Sequence, residues 1–126
     1  VEELYSQNQY VSLHIPANDQ TRRSVTRALI ESMPKKGVLI NAARKEVIDE
    51  EGLAQALASR EDLRYVADVK PDNFAELEEK FGERVLFTPK KMGAQTAEAN
   101  INAGLAAAHQ VVAHLLDGWN KFQVNR

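Results

Sequence analysis

Two short apolar runs constrain this chain more than any other feature. Leu39-Ile40-Asn41-Ala42-Ala43-Arg44 and Tyr65-Val66-Ala67-Asp68-Val69 each pass abruptly from apolar into polar residues. A strand buried on both faces of a parallel sheet reads this way, and open α/β sheets place ligand-contacting groups at the carboxyl ends of such strands. Arg44 is the residue of interest, because a guanidinium there can hold a carboxylate through two parallel hydrogen bonds. An acidic small molecule is the expected ligand.

The remaining segments fit the same scheme. Tyr10 to Ile15 reads as a buried strand stopped by Pro16. Asn18 or Asp19 can cap a helix over residues 21–32, with Leu29 and Met33 facing inward. Pro34-Lys35-Lys36-Gly37 is a turn into the strand Val38 to Asn41. Asp49 opens a helix whose Leu53, Ala54 and Leu57 share one face, with Glu50 and Glu51 in its first turn. Residues 63–69 form a third strand, residues 73–81 a short acidic helix ending at Gly82, and residues 85–87 a fourth strand closed by Thr88-Pro89. Strand and helix alternate, which predicts a parallel, right-handed α/β sheet. From Thr96 the character changes to an Ala-rich helix over residues 97–116, ended by Gly118.

Size and charge narrow the function. A chain of 126 residues, 44% hydrophobic and 27% charged, can bury one domain's core. Net charge is −2 with Lys and Arg dispersed, so neither nucleic acid nor a membrane surface is an expected partner. The absence of cysteine excludes disulfides and thiolate metal sites, and no apolar run approaches a membrane span. A cytoplasmic location is expected. The first residue is not Met and Val1-Glu2-Glu3-Leu4 reads as a helix already under way, so a piece of a longer protein is expected.

The motifs taken in order resemble the D-isomer-specific 2-hydroxyacid dehydrogenases, and within them the short phosphoglycerate-oxidising members. The family run Leu-His-x-Pro is matched by Leu13-His14-Ile15-Pro16, followed by Thr21. The run Ile-Asn-x-x-Arg-Gly is matched by Ile40 to Arg44, with Lys45 in place of glycine. The Asp-Val pair is Asp68-Val69, and Thr-Pro-His followed by small residues and Thr appears as Thr88-Pro89-Lys90-Lys91-Met92-Gly93-Ala94-Gln95-Thr96. Val124-Asn125 matches the terminal pair. The Gly-x-Gly-x-x-Gly turn of the dinucleotide site is not formed by any of the six glycines. The resemblance therefore implies the second half of a Rossmann-like NAD-binding domain over residues 1–95, with residues 96–126 a long helix and tail that would pack on the substrate domain.

The resemblance also implies roles. Arg44 would bind the substrate carboxylate and polarise the C2 oxygen; the other reading is a surface cation paired with Glu46 or Asp49. Ala42 and Ala43 would let the backbone pass close to the nicotinamide, with Gly93 also at the cofactor. Asp68 would accept a hydrogen bond from the ring side, or else cap the following helix. The family histidine, which accepts the hydroxyl proton, has no counterpart near Thr88-Pro89; lysines stand there. Counting back from Thr96 places Lys91 at that position, and counting forward from Pro89 places Lys90; the helix start favours Lys91. The glutamate that orients the histidine lies five residues past the aspartate, where this chain has Asn73. An ammonium has no tautomer to fix, so both losses are coherent.

Other residues read as structural. His109 and His114 are five apart on a helix and do not share a face as metal ligands would. His14 is expected to be structural, Glu76, Glu78 and Glu79 a solvated face, and Trp119 and Phe122 anchors of the tail. The expected function is hydride transfer from a D-2-hydroxy acid, 3-phosphoglycerate, to NAD in serine biosynthesis, by a homodimer. The alternative is a catalytically degenerate, cofactor-binding regulator.

Overall fold

A computed structural model describes residues 1–89 and 96–124. The chain forms two compact units, Val1–Lys90 and Lys91–Arg126. Lys90, Lys91 and Gly93 lie outside the described residues, as does Asn125.

The first unit runs α1 (Glu2–Gln7), β1 (Tyr10–Leu13), α2 (Arg27–Glu31), β2 (Val38–Asn41), α3 (Glu50–Ser59), β3 (Arg64–Ala67), α4 (Phe74–Phe81) and β4 (Val85–Phe87), with 3₁₀ turns at Lys45–Val47 and Gly82–Arg84. The four strands lie in chain order and pair in parallel throughout. Every crossover therefore steps the same way, and right-handed crossovers lay the connecting helices on one face.

Burial follows from that topology. Val11, Leu39, Tyr65 and Val85 lie side by side in register, and so do Leu13, Asn41, Ala67 and Phe87. All are buried, and they join Ile30, Leu53, Ala56, Leu57 and Leu77 in one core. Each large apolar side chain buried there contributes about 1.5–3 kcal/mol. The strands were expected to be buried on both faces, but they alternate instead. Tyr10, Ser12 and Leu86 are exposed on the second face, and Ile40 and Val66 are half-buried.

Several boundaries move. Strands β1 and β3 stop at Leu13 and Ala67, before the polar residues that follow. The helix expected over residues 21–32 shrinks to α2, because the Asn18 side chain accepts from the N–H groups of Gln20 and Thr21 at 2.9 and 3.0 Å and closes a turn of its own. Arg23 then has φ 52°, and Val25 bridges in parallel to Ile48 before Thr26 caps the helix at Leu29. Asp49 stands at the start of α3 without bonding its N–H groups, since its carboxylate takes Arg23 Nη2 at 2.5 Å. Gly52 lets α3 approach α2: a Cβ there would meet the Arg27 nitrogen at 3.0 Å.

In the second unit, α5 (Ala97–Asp117) starts where expected, with Thr96 accepting from the Ala99 N–H at 3.1 Å. Gly118 ends it in the left-handed conformation, φ 66° and ψ 17°. Trp119 and Phe122 meet edge to face at 5.3 Å, and the Trp119 carbonyl lies 3.1 Å from His114 Nδ1. No helix among the described residues is long and apolar enough to cross a membrane.

Candidate functional site

The carboxyl edge of the sheet brings together Asn41, Arg44 and Asp68. Strands β2 and β3 end together, Asn41 opposite Ala67, and the Asp68 N–H donates to the Asn41 carbonyl at 3.2 Å. The Ala42–Arg44 segment and the Asp68 segment thus leave the sheet from adjacent strands.

Asn41 shapes the first of these segments. Its side chain is fully buried among apolar neighbours, at 0% exposure, and every polar atom is used. Oδ1 accepts from the Ala43 N–H at 3.0 Å, while Nδ2 donates to the Arg44 carbonyl at 3.0 Å and to Tyr65 Oη at 3.3 Å. The side chain replaces the strand ladder that the backbone has just left, and so fixes the turn through Ala42 and Ala43. Burial pushes the Tyr65 hydroxyl up to about 12, so it stays protonated in this network. Asn41 was part of the quoted motif, but no role was assigned to it. The signal was available: Asn41 shares a strand face with Leu39, so it was a polar residue on a core-facing position.

Arg44 emerges from this turn with its side chain exposed. Nη1 donates to the Ala43 carbonyl at 2.8 Å, which holds the guanidinium over the turn. It pairs with neither Glu46 nor Asp49; Asp49 belongs to Arg23. Ala43 is buried and Ala42 half-buried. Lys45, standing where the resemblance expects glycine, is absent from the positive-φ residues and begins the 3₁₀ turn without that strain.

Asp68 does not cap α4, whose first position is preceded by Asn73. Among the described residues its buried Oδ1 meets no donor, and neither does Oδ1 of Asn73, whose Nδ2 donates to the Glu50 carbonyl at 3.3 Å. A buried carboxylate oxygen without a donor is suited to an N–H group brought by a ligand, such as the carboxamide of a nicotinamide. The residues present at this edge therefore fit the nicotinamide end of a dinucleotide: small side chains at 42 and 43, and an acceptor at 68.

Other candidates resolve as structural contacts. His14 Nε2 lies 2.8 Å from Ser12 Oγ on the exposed face. Thr21 Oγ1 donates to the Pro16 carbonyl at 2.5 Å and closes the loop after β1. Glu76 pairs with Lys80 at 2.6 Å along the exposed side of α4. Among the described residues no cluster of His, Cys, Asp and Glu could hold a metal ion.

Comparison with known proteins identifies the family of the chain. Residues 1–112 match the model of the D-isomer specific 2-hydroxyacid dehydrogenase, NAD binding domain. The chain is 35% identical to D-3-phosphoglycerate dehydrogenase of Haemophilus influenzae, covering 99% of this chain and 32% of that protein. It is 33% identical to the Escherichia coli enzyme of the same name, over 98% of this chain and 31% of that one. The structure of cofactor (NAD+) bound 3-phosphoglycerate dehydrogenase from Entamoeba histolytica superposes with a TM-score of 0.82 at 45% identity, covering 99% of this chain and 41% of that chain. The chain thus spans about a third of the length of the curated relatives it matches.

Proposed function

Because the chain belongs to the D-isomer specific 2-hydroxyacid dehydrogenase family, as its NAD-binding domain, we propose that it serves NAD-linked oxidation of a D-2-hydroxy acid. The proposed substrate is 3-phosphoglycerate, which would place the reaction in serine biosynthesis in the cytoplasm. The 45% identity to the Entamoeba histolytica 3-phosphoglycerate dehydrogenase favours that substrate over others. The observation that carries the site is the pairing of β2 with β3, which brings Arg44 and Asp68 to one edge.

The roles follow from the chemistry of the groups. NAD, when bound, supplies the acceptor for the hydride that leaves C2. Arg44 holds the substrate carboxylate and the C2 oxygen, a task for a cation that never deprotonates at neutral pH. Asp68 accepts from the carboxamide of the cofactor, and Ala42, Ala43 and Gly93 leave room for its ring. Lys91 takes the proton of the C2 hydroxyl as the carbonyl forms. For that the lysine needs a depressed pKa. At the family's glutamate position this chain has Asn73, a neutral amide that would not hold a neighbouring ammonium protonated as an ionised glutamate would.

The test is a chimera in which residues 1–126 replace the matching region of the Entamoeba histolytica enzyme. Oxidation of 3-phosphoglycerate with NAD is expected, and Arg44→Lys should lower kcat/KM by about a hundredfold or more, because an ammonium cannot grip a carboxylate with two parallel bonds. A chimera that binds NAD but does not turn over would favour the degenerate, regulatory reading suggested by the missing histidine and glutamate.

A further inference from the structure

We propose that Lys45, Glu50 and Asp72 form a latch holding the Arg44 segment in register with the Asp68 segment, and that they are positioning residues for the reaction. The inference rests on the reading that Arg44 and Asp68 serve one site. Their two segments leave the sheet from adjacent strands, and beyond Asp68 N–H to Asn41 carbonyl the sheet itself no longer ties them. The latch supplies the missing ties.

Three contacts cross between the segments, each joining residues more than twenty positions apart. Lys45 Nζ meets Asp72 Oδ1 at 2.6 Å. Both carboxylate oxygens of Glu50 accept from the Asp72 N–H, at 3.0 and 3.1 Å. Asn73 Nδ2 donates to the Glu50 carbonyl at 3.3 Å. Lys45 directly follows Arg44, and Asp72 is four residues past Asp68, so the ties lie next to the two groups that must be aligned. The Lys45 ammonium is held above its usual range, chiefly by its bond to Asp72, and is charged throughout the neutral range. A glycine at position 45, which the family run would place there, has no side chain to reach Asp72. The lysine arm is therefore a feature of this sequence.

Energetics set the expected size. The ion pair is exposed on the Asp72 side, and such pairs are individually weak and screened by salt. The bond from Glu50 to a main-chain N–H is charge-assisted and stronger. The latch therefore contributes little to overall stability. Small misalignments of groups around a reacting centre nonetheless cost rate out of proportion.

Two measurements test it. In the 126-residue chain, Lys45→Met and Glu50→Gln should each speed hydrogen exchange at the Asp72 amide by about threefold or more, leaving exchange in the core of β2 unchanged. In the Entamoeba histolytica chimera, Lys45→Met should lower kcat by about threefold to tenfold with little change in thermal midpoint, and Lys45→Arg should restore it. About 0.5 M KCl should bring the unmodified chimera down to the Lys45→Met level and leave that variant unaffected. The latch is overturned if Lys45→Met turns over normally while Arg44→Lys collapses. If Arg44→Lys is also harmless, the assignment of the site to this edge falls with it.

Discussion

Asn41 Nδ2 donates to the main-chain carbonyl of Arg44 at 3.0 Å, so the residue that ends β2 holds the residue proposed to bind the substrate carboxylate. The same amide reaches Tyr65 on the next strand, and its oxygen takes the Ala43 N–H. Asn41→Ala removes all three contacts from a buried turn. A loss of about 2–3 kcal/mol in urea unfolding of the chain is expected. Asn41→Asp should be no milder at neutral pH, since it keeps the acceptor but buries a charge. An Asn41→Ala chain as stable as the parent would show that this network is idle.

Acid stability has a separate origin, at the opposite edge of the sheet. Arg60 and the Lys36 N–H hold the Asp62 carboxyl down to about 2, against an ordinary value of 3.8. A carboxyl with a depressed folded-state pKa contributes stability above its unfolded value and loses it as pH falls through the folded one. The contribution is therefore present above about pH 4 and lost between pH 4 and pH 2. Asp62→Asn should lower the thermal midpoint at pH 6 and converge with the parent near pH 2. A difference independent of pH would exclude the carboxylate as its cause.

The two ends of β2 illustrate how much could be read in advance. Its apolar run and its polar exit are local patterns, and the parallel order of strands follows from their alternation with helices. The start of α2 was not legible, because the Asn18 side chain diverts the backbone into a turn that helical periodicity does not register. Nor was the one-sided burial of the sheet: β-branched runs read alike whether one face or two are covered. The ties from Lys45 and Glu50 to Asp72 join residues distant in sequence, so no spacing rule reveals them. Ala42, Ala43, Arg44 and Asp68 were singled out from motif order, whereas the part played by Asn41 needed its burial to be seen.

The 126-residue chain alone is expected to bind NAD only weakly. The contacts proposed for the nicotinamide end are Ala42, Ala43 and Asp68, but the six glycines form no Gly-x-Gly-x-x-Gly turn to receive the pyrophosphate. Calorimetric titration of the isolated chain should show a dissociation constant no tighter than about 1 mM. Micromolar binding would mean that the pyrophosphate has another seat in this chain.

Helix α5 presents Ile101, Leu105, Val111, Val112, Leu115 and Leu116 as exposed side chains. An apolar surface of that kind favours association, as the homodimer expected from the sequence would require. Light scattering of the chain should give about twice the monomer mass. Leu105→Glu should return it to a monomer while amide signals of β1–β4 stay in place. A parent chain that is monomeric at all accessible concentrations would rule out self-association through this helix.

Lys91 is the last residue to test, because it carries the proposed chemistry and two lysines compete for the role. The helix cap at Thr96 fixes the count from one side: the Thr96 hydroxyl accepts from the Ala99 N–H. Counted back from that cap, Lys91 stands where the family run has its histidine, and Lys90 stands one residue further. Loss of a general base costs about a hundredfold to ten-thousandfold in rate, whereas loss of a solvated lysine costs almost nothing. In the Entamoeba histolytica chimera, Lys91→Ala should therefore collapse kcat with little effect on NAD binding, and Lys90→Ala should change it less than about threefold. The pH profile separates the roles further. With a lysine base, kcat/KM should rise with pH to a plateau set by its deprotonation, and Lys91→His should move the rise towards the histidine range near pH 6.5. An unchanged profile in Lys91→His, or full turnover in Lys91→Ala, would transfer the base to Lys90 or to the part of the chimera contributed by the Entamoeba histolytica enzyme.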